Sequence, residues 1–216
     1  MKTLFLESRY NGKIDFNNIE ISKLPERIGL ITTVQFVDFL DSIKKFLTNK
    51  NKKIIIGKGK QSYEGQILGC DSSSAENIKN KVDAFLYIGT GRFHPLIVGV
   101  KTGKDVFIFN PINNEFKKIE KTEIENYKKR KQGSLLKFLN ATNVGILVST
   151  KQGQYYDLKK LDSLKKKFKD KKFYIFMAET IDYRQLENFP FIEAWVNTAC
   201  PRIEEDIRII NIEEIK

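Results

Sequence analysis

The sequence predicts an α/β fold of two similar small domains, each with a mostly parallel sheet and flanking helices. Three observations support this prediction. The strands have continuous apolar sequences, amphipathic helices alternate with them, and the same pattern begins again in the second half of the chain. Strands of a parallel sheet have such sequences because helices cover both of its faces. With 216 residues, 41% of them hydrophobic, the chain can form two small cores without disulfides or metals.

The first half contains four predicted strands, at residues 27–33, 53–56, 84–88 and 106–109. Apolar residues from Phe36 to Leu47 recur at helical spacing after the first strand, which predicts an amphipathic helix. A polar loop containing glycines leads from the second strand to Cys70. Gly89 and Gly91 interrupt the chain directly after the third strand.

A polar, lysine-rich stretch at residues 112–131 separates the halves and enters a helix that continues toward Leu139. We place a domain boundary near it. Residues 1–25 are predicted to be the remnant of a preceding domain and its linker, 26–115 the α/β domain with Cys70, and 116–216 the α/β domain with Cys200.

The second half repeats the pattern of the first. Strands are predicted at residues 144–149, 173–177 and 194–198, and a helix is predicted from Leu158, Leu161, Leu164 and Phe168. The string IGLITT corresponds to VGILVST, and DAFLYIGTG corresponds to EAWVNTAC. These short strings favour a structural repeat over two unrelated α/β units.

The charge and the apolar pattern limit the classes of partner. The formal net charge of +11 comes mostly from lysine, but aromatic residues are not interleaved with the lysines as a base-stacking surface requires. We therefore expect no dedicated nucleic-acid site. No apolar run approaches the roughly 20 residues of a membrane span, and the first residues are too charged for a signal peptide. The protein is expected to be cytoplasmic.

The two cysteines lie one in each half, Cys70 in QILGCDSSS and Cys200 in VNTACPRI. Isolated cysteines of this kind are inert buried thiols in many cytosolic proteins, and the cytosol disfavours a disulfide. Both, however, follow apolar strands or glycine-containing turns, and Pro201 follows Cys200. Such loops can display a thiolate as a ligand for an iron-sulfur cluster.

The single histidine, His94, lies in the string GTGRFHP after the third predicted strand. A lone histidine is usually structural. In this loop, however, Gly89 and Gly91 permit close approach to a ligand, Arg92 offers a planar cation for a carboxylate, and His94 can exchange a proton. The third glycine of a dinucleotide-binding fingerprint is missing, so the loop suits an amino-acid carboxylate better.

Several strings resemble one protein family. They are LPERIGLITTVQFV, EGQILGC, DAFLYIGTGRFHP, GILVSTKQGQ and EAWVNTACPRI, which agree in order and spacing with the second and third domains of the 2-(3-amino-3-carboxypropyl)histidine synthases. This family performs the first step of diphthamide synthesis. The resemblance covers most of the chain.

The resemblance implies a radical enzyme built from three related α/β domains, each of which gives one cysteine to a central 4Fe-4S cluster. The cluster cleaves S-adenosylmethionine, and the 3-amino-3-carboxypropyl radical adds to a histidine of translation elongation factor 2. Cys70 and Cys200 match the metal ligands of the second and third domains. The expected cofactor-binding residues are Gln35, Gly89, Gly91, Arg92 and His94; no catalytic proton-transfer role is assigned.

The chain departs from the family because the first domain, with its cysteine, is missing. A split gene, an experimental fragment and a degenerate relative are all compatible with this, and a split gene fits best.

The first hypothesis is a catalytic subunit that needs a partner polypeptide with the first domain, in a homodimer or heterodimer of the family type. The second is a non-catalytic accessory subunit that binds elongation factor 2 or the catalytic partner. The third, from outside the family, is a nucleotide-binding protein with inert thiols. The compact family type also suggests an archaeal source.

Overall fold

The computed structural model describes residues 4, 6–154, 161–205 and 207–215. The chain divides into two compact units, Met1–Glu125 and Asn126–Lys216. Each unit contains one mostly parallel sheet, with five strands in the first and four in the second, and helices flank both sheets. The predicted fold class is therefore confirmed. Within the described ranges, no helix combines the length and the apolar character needed to cross a bilayer.

The first unit alternates strands and helices along the chain. Its strands are β1 (Arg27–Thr32), β2 (Lys53–Ile55), β3 (Ala84–Ile88), β4 (Asp105–Asn110) and β5 (Glu115–Lys118). Its helices are α1 (Leu40–Thr48), α2 (Ser73–Glu76) and α3 (Phe93–Thr102), with 3-10 helices at Ile21–Lys23 and Val34–Phe39. The strand order is β2-β1-β3-β4-β5, in which only the pair β4–β5 is antiparallel.

One hydrophobic core of the first unit lies between the sheet and α1. Leu40, Ile43 and Leu47 recur at intervals of three and four residues, so they lie on one face of α1, and all three are buried against the sheet. Ile19 and Leu24, which precede β1, are buried in the same core. The interpretation of residues 1–25 as the remnant of another domain and a linker stays a prediction.

The second unit has the same alternation. Helix α4 (Lys121–Asn140) spans the division between the units and precedes β6 (Asn143–Ser149), α5 (Leu161–Lys167), β7 (Lys172–Ala178), β8 (Ala194–Asn197) and β9 (Ile210–Asn211). In the described part of this unit, 3-10 helices lie at Tyr183–Asn188, Pro201–Glu205 and Ile212–Glu214. The strand order is β7-β6-β8-β9, and every pair is parallel. Its core includes Phe138, Val144, Ile146 and Leu161.

The carboxyl end of α4 is capped by a buried lysine. The Nζ of Lys171 donates hydrogen bonds to the carbonyl oxygens of Leu139 at 2.8 Å and Ala141 at 2.7 Å. These carbonyls lack partners within the helix, and a cation is favoured at that end of the helix dipole. The cap connects the turn after α4 to the start of β7.

The two units are variations on one strand arrangement. The order β2-β1-β3-β4 in the first sheet corresponds to β7-β6-β8-β9 in the second. In each, a glycine of the central strand lies beside an aromatic residue of the third strand, Gly29 beside Phe85 and Gly145 beside Trp195. A Cβ atom on Gly29 would lie 2.5 Å from the Phe85 ring, and one on Gly145 would lie 2.4 Å from the Trp195 ring. These contacts support the predicted repeat.

A carboxylate also occupies the same place in both units. Asp83, directly before β3, accepts a hydrogen bond from the backbone N–H of Arg27 at 3.2 Å. Glu193, directly before β8, accepts from the N–H groups of Asn143 at 2.7 Å and Thr142 at 2.5 Å. Hydrogen bonds from the two N–H groups lower the pKa of Glu193. Each carboxylate therefore aligns the amino ends of two paired strands.

Every predicted strand overlaps an observed one, but the sequence analysis missed β5 and β9. Because β5 pairs with β4, it extends the first sheet. The chain divides after Glu125, whereas the predicted boundary between the domains followed residue 115. The single helix predicted across residues 36–47 is a 3-10 helix followed by α1. Leu158, one of the residues used to predict the next helix, lies outside the described residues.

The glycine–tryptophan contact gives a test of the second unit. The variant Gly145→Ala should lower the free energy of unfolding by about 1–3 kcal/mol, because its Cβ overlaps the Trp195 ring. Gly133→Ala is the matched control: Gly133 lies inside α4 with nothing within 4 Å of a new Cβ, so alanine should raise stability by about 0.5–1 kcal/mol. Urea unfolding followed by circular dichroism measures both. Equal changes in the two variants would contradict the proposed contact.

Candidate cofactor and metal site

The carboxyl ends of β1 and β3 meet at one edge of the first sheet, where the predicted site loops begin. The hydroxyl of Thr32, a fully buried residue at the end of β1, donates to the carbonyl of Ile88 at 2.6 Å. The N–H of Ile67, in the connection after β2, donates to the carbonyl of Thr32 at 2.8 Å. The first bond joins the ends of β1 and β3, and the second holds the connection that leads to Cys70 beside the end of β1. Open parallel sheets bind ligands at this edge.

Cys70 lies exposed on a tight turn in that connection. The N–H of Leu68 donates to the carbonyl of Asp71 at 2.8 Å, and the N–H of Asp71 donates back to the carbonyl of Leu68 at 3.2 Å. This reciprocal pair leaves Gly69 and Cys70 at the tip. A Cβ atom on Gly69 would lie 2.5 Å from the ring of Phe93, the first residue of α3. The turn with Cys70 therefore packs directly against the segment GTGRFHP, residues 89–95, which we call the GRFHP loop.

The glycines of the GRFHP loop have conformations that favour glycine. Gly91 has a φ of 77°, and Gly89 has a φ of 155° with the Tyr87 hydroxyl 2.6 Å from the position of a Cβ. The Tyr87 hydroxyl donates to the carbonyl of Thr90 at 3.1 Å, and the N–H of Gly89 donates to the carbonyl of Phe109 at 3.0 Å. The loop is thus fixed to two neighbouring strands.

Arg92 and His94 lie at the start of α3, but neither extends alone into open space. The guanidinium of Arg92 makes two hydrogen bonds to the Glu123 carboxylate, from Nη2 at 2.6 Å and from Nε at 3.2 Å. Glu123 also accepts from the N–H of Glu120 at 3.0 Å, at the start of α4. The His94 ring is partly buried and lies nearly parallel to the Tyr87 ring, with 6.5 Å between the ring centroids. The predicted ligand roles of both residues stay predictions.

A pocket of about 280 Å³ opens at this sheet edge. Gln35, one of the predicted cofactor-binding residues, lines it, and so does Thr90, which lies between the two loop glycines. The other lining residues are Ser8, Arg9, Tyr10, Phe36 and Ile112. The structure therefore brings Gln35 and the GRFHP loop together at one pocket, as a shared role in binding a ligand requires.

Residues 8–10 form one side of the pocket, and sequence reasoning did not find them. The N–H of Tyr10 donates to the carbonyl of Gln35 at 2.8 Å, which attaches this segment to the pocket. The Arg9 guanidinium is hydrogen-bonded to Glu7 and, at 2.8 Å, to Asp38, and it stacks 4.4 Å above the Tyr63 ring. Hydrogen bonds from Arg9 and then from Tyr63 lower the pKa of Glu7. The sequence offered no signal beyond the presence of Arg9 itself.

Cys200, in the second unit, lies three residues after β8 and is partly buried. Its loop is held by Asn197, the last residue of β8, whose Nδ2 donates to the carbonyl of Cys200 at 3.0 Å. The neighbouring Thr198 donates from both its N–H and its hydroxyl to the carbonyl of Leu147, at 3.1 and 2.8 Å. Like Cys70, Cys200 therefore lies on a loop fixed to the carboxyl end of a central strand.

The chemistry of the two side chains fits an iron-sulfur cluster in part. Both cysteines are reduced thiols on loops, and thiolates are the protein ligands of 4Fe-4S clusters. Each unit supplies one. Among the residues that the structure describes, no three or more histidine, cysteine, aspartate or glutamate side chains form a group that could hold a metal ion. Within the described residues, each unit thus presents a single thiol on a loop.

A comparison of the chain with known protein families decides its family. The model of the diphthamide synthesis protein family matches residues 2–207, which is nearly the whole chain. The chain belongs to this family. A diphthamide synthesis family member cannot be the unrelated nucleotide-binding protein of the third hypothesis, so that alternative is excluded.

Similar proteins in the diphthamide synthesis family include 2-(3-amino-3-carboxypropyl)histidine synthase of Pyrococcus horikoshii, which is 36% identical over 191 residues, or 87% of this chain and 54% of the relative. Subunit 1 of the synthase of Schizosaccharomyces pombe is 31% identical over 209 residues, or 90% of this chain and 47% of the relative. The crystal structure of Dph2 from Pyrococcus horikoshii with a 4Fe-4S cluster superimposes with a TM-score of 0.76 and 33% identity, covering 91% of this chain and 58% of that one. The chain spans about half the length of these relatives.

Tyr87, which supports the GRFHP loop, gives a test by alkaline titration. Burial raises the pKa of Tyr87 above the ordinary value of 10.0. Its contribution to stability is therefore complete below that value and is lost as the pH rises above it, because the unfolded protein releases the proton more readily. In folded protein at about pH 11, Tyr87→Phe should leave the phenolate absorbance unchanged.

The unfolded protein is the control for this titration. In urea at the same pH, Tyr87 ionises at its ordinary value, so Tyr87→Phe should lower the phenolate absorbance by one tyrosine equivalent. A loss of absorbance of the same size in the folded protein would show that Tyr87 is accessible to solvent, contrary to the structure.

Proposed function

We propose that this chain is the cluster-binding part of a 2-(3-amino-3-carboxypropyl)histidine synthase, in which Cys70 and Cys200 are two ligands of a 4Fe-4S cluster. The observation that carries the proposal is that each unit holds one thiol on a loop fixed to the carboxyl end of its central strand. Family membership and the 4Fe-4S cluster in the similar Dph2 structure support the same assignment.

A partner polypeptide completes the proposed site. The chain offers two thiols, and about half of the length of its relatives lies outside it. We propose that the partner carries a first domain of the family type and the third cysteine. The fourth iron then keeps a position without a protein thiolate, at which a substrate can bind.

The pocket lined by Gln35 and Thr90 is the proposed site for S-adenosylmethionine. When bound, the cluster supplies the electron that cleaves S-adenosylmethionine, whose 3-amino-3-carboxypropyl group is transferred to a histidine of elongation factor 2. Gln35 offers an amide that can donate and accept hydrogen bonds. The glycines on either side of Thr90 let the backbone approach the ligand closely. The carboxylate of S-adenosylmethionine can bind the Arg92 guanidinium only in competition with the Glu123 carboxylate.

A second candidate function is a non-catalytic accessory subunit, which binds elongation factor 2 or a catalytic partner. Two observations favour it. The described residues include no group of three or more metal-ligating side chains, and the Arg92 guanidinium is already held by Glu123. In this alternative the two cysteines contribute nothing to the modification reaction.

The test is anaerobic reconstitution with iron and sulfide, with the chain alone and with a first-domain polypeptide from the same source. We expect a stable 4Fe-4S signal, measured by iron content and by electron paramagnetic resonance of the reduced sample, only when both polypeptides are present. Cys70→Ser and Cys200→Ser should each abolish the stable signal, because a thiolate ligand is lost. Ser62→Ala, at an exposed position of the same connection as Cys70, should retain it.

The same samples distinguish the two candidate functions. If Cys70→Ser and Cys200→Ser together leave the modification of elongation factor 2 unchanged in the reconstituted system, the catalytic proposal is wrong and the accessory function is supported. If the modification is lost along with the cluster signal, while the complex still assembles, the accessory function is excluded.

A further inference from the structure

Asn197 is an amide buried at the centre of a parallel sheet. It is the last residue of β8, which lies between β6 and β9, and only 1% of it is exposed. An amide in such a place is costly unless its donors and acceptor are satisfied, and a leucine would fill similar space without that cost. The hydrogen bonds of Asn197 therefore show what the polar side chain contributes.

The side chain of Asn197 bonds to the Cys200 loop and to one supporting residue. Its Nδ2 donates to the carbonyl of Cys200 at 3.0 Å and to Oδ1 of Asn211 at 2.7 Å. Its Oδ1 accepts from the N–H of Ala199 at 3.0 Å. One side chain thus binds the backbone on both sides of the peptide that joins Ala199 to Cys200, and Asn211 on β9 orients the amide.

The first unit uses the same device at the corresponding place. Tyr87 lies two residues after Phe85, the residue beside the central glycine, and Asn197 lies two residues after Trp195. The Tyr87 hydroxyl donates to the carbonyl of Thr90, three residues later, just as Asn197 donates to the carbonyl of Cys200. The two side chains differ in chemistry, but each fixes the loop after the third strand.

The far side of the Cys200 loop is also attached. The carbonyl of Cys200 accepts a second hydrogen bond, from the N–H of Ile203 in the following 3-10 helix, at 3.2 Å. The carbonyl is therefore fixed by one donor from the strand and one from the helix. Because the Cα of Cys200 is bonded to that carbonyl carbon, fixing the carbonyl limits the directions in which the thiol can point.

We infer that Asn197 is a positioning residue for the Cys200 thiol, with Asn211 as its support. The inference deepens the proposed function, because a thiol fixed in direction is useful to a cluster that forms between polypeptides. Asn197 itself does not touch the metal in this assignment. It acts by holding the loop closed, so removing it should increase the reactivity of Cys200 specifically.

The experiment measures alkylation rates of both thiols in the whole 216-residue chain, without a cluster, by quantitative peptide mass spectrometry with N-ethylmaleimide. Cys70, in the other unit, is the internal reference. Asn197→Leu should raise the rate at Cys200 relative to Cys70 by about tenfold, since loss of one or two hydrogen bonds of about 1 kcal/mol each eases opening of the loop. Asn211→Leu, the matched control, removes the bond between the two amides but keeps the bond to Cys200, and should change the rate less than about threefold.

Asn197→Ser provides a second variant in case Asn197→Leu does not fold, because a serine hydroxyl is too short to reach the Cys200 carbonyl and should give the same increase. The inference is overturned if the Cys200 rate is unchanged in the folded variants, if Asn211→Leu raises it as much, or if both thiols become reactive together. The alkylation result does not depend on a cluster. Failure of reconstitution with the partner would therefore count against the proposed function alone. Iron retention in the reconstituted Asn197→Leu variant tests the proposed function and the positioning role of Asn197 together.

Discussion

The close contact between an aromatic ring on the third strand and a glycine on the central strand is the constraint on which both units depend. A parallel strand that slips by one residue turns every side chain to the opposite face. The rings of Phe85 and Trp195 have room only beside Gly29 and Gly145, so each ring fixes the register of its strand pair. The register in turn determines where the loops at the carboxyl ends begin.

From this register follow the polar connections that shape the site. Thr32 is paired with Ile88 at the ends of β1 and β3, so its hydroxyl reaches the Ile88 carbonyl. Thr198 directly follows Asn197, which is paired with Leu147, so its hydroxyl reaches the Leu147 carbonyl. The loops that carry the thiols and glycines are thus attached to rigid strands at their beginnings. A site assembled from loops needs such support, since a displacement of about 1 Å can remove the activity of a metal or cofactor site.

The sequence predicted the parts of this structure that local patterns encode. Apolar runs located seven strands, and the strings around Cys70, the GRFHP loop and Cys200 located the loops at their ends. Strand β5 was missed because Glu115–Lys118 is a polar edge strand, and β9 because it has only two residues. The pairing of Arg92 with Glu123 and the contribution of Arg9 to the pocket depend on contacts distant in sequence, which no local pattern reveals.

Cys70 and Cys200 lie on loops that do not correspond in the repeated scaffold. Cys70 belongs to the connection between β2 and β3, whereas Cys200 follows β8, the counterpart of β3. Duplication of the scaffold therefore does not by itself duplicate the thiol, and each copy can acquire or lose its cysteine without changing the strands. The strand order and the glycine–aromatic pair, which both units share, therefore describe the repeat better than the positions of the cysteines.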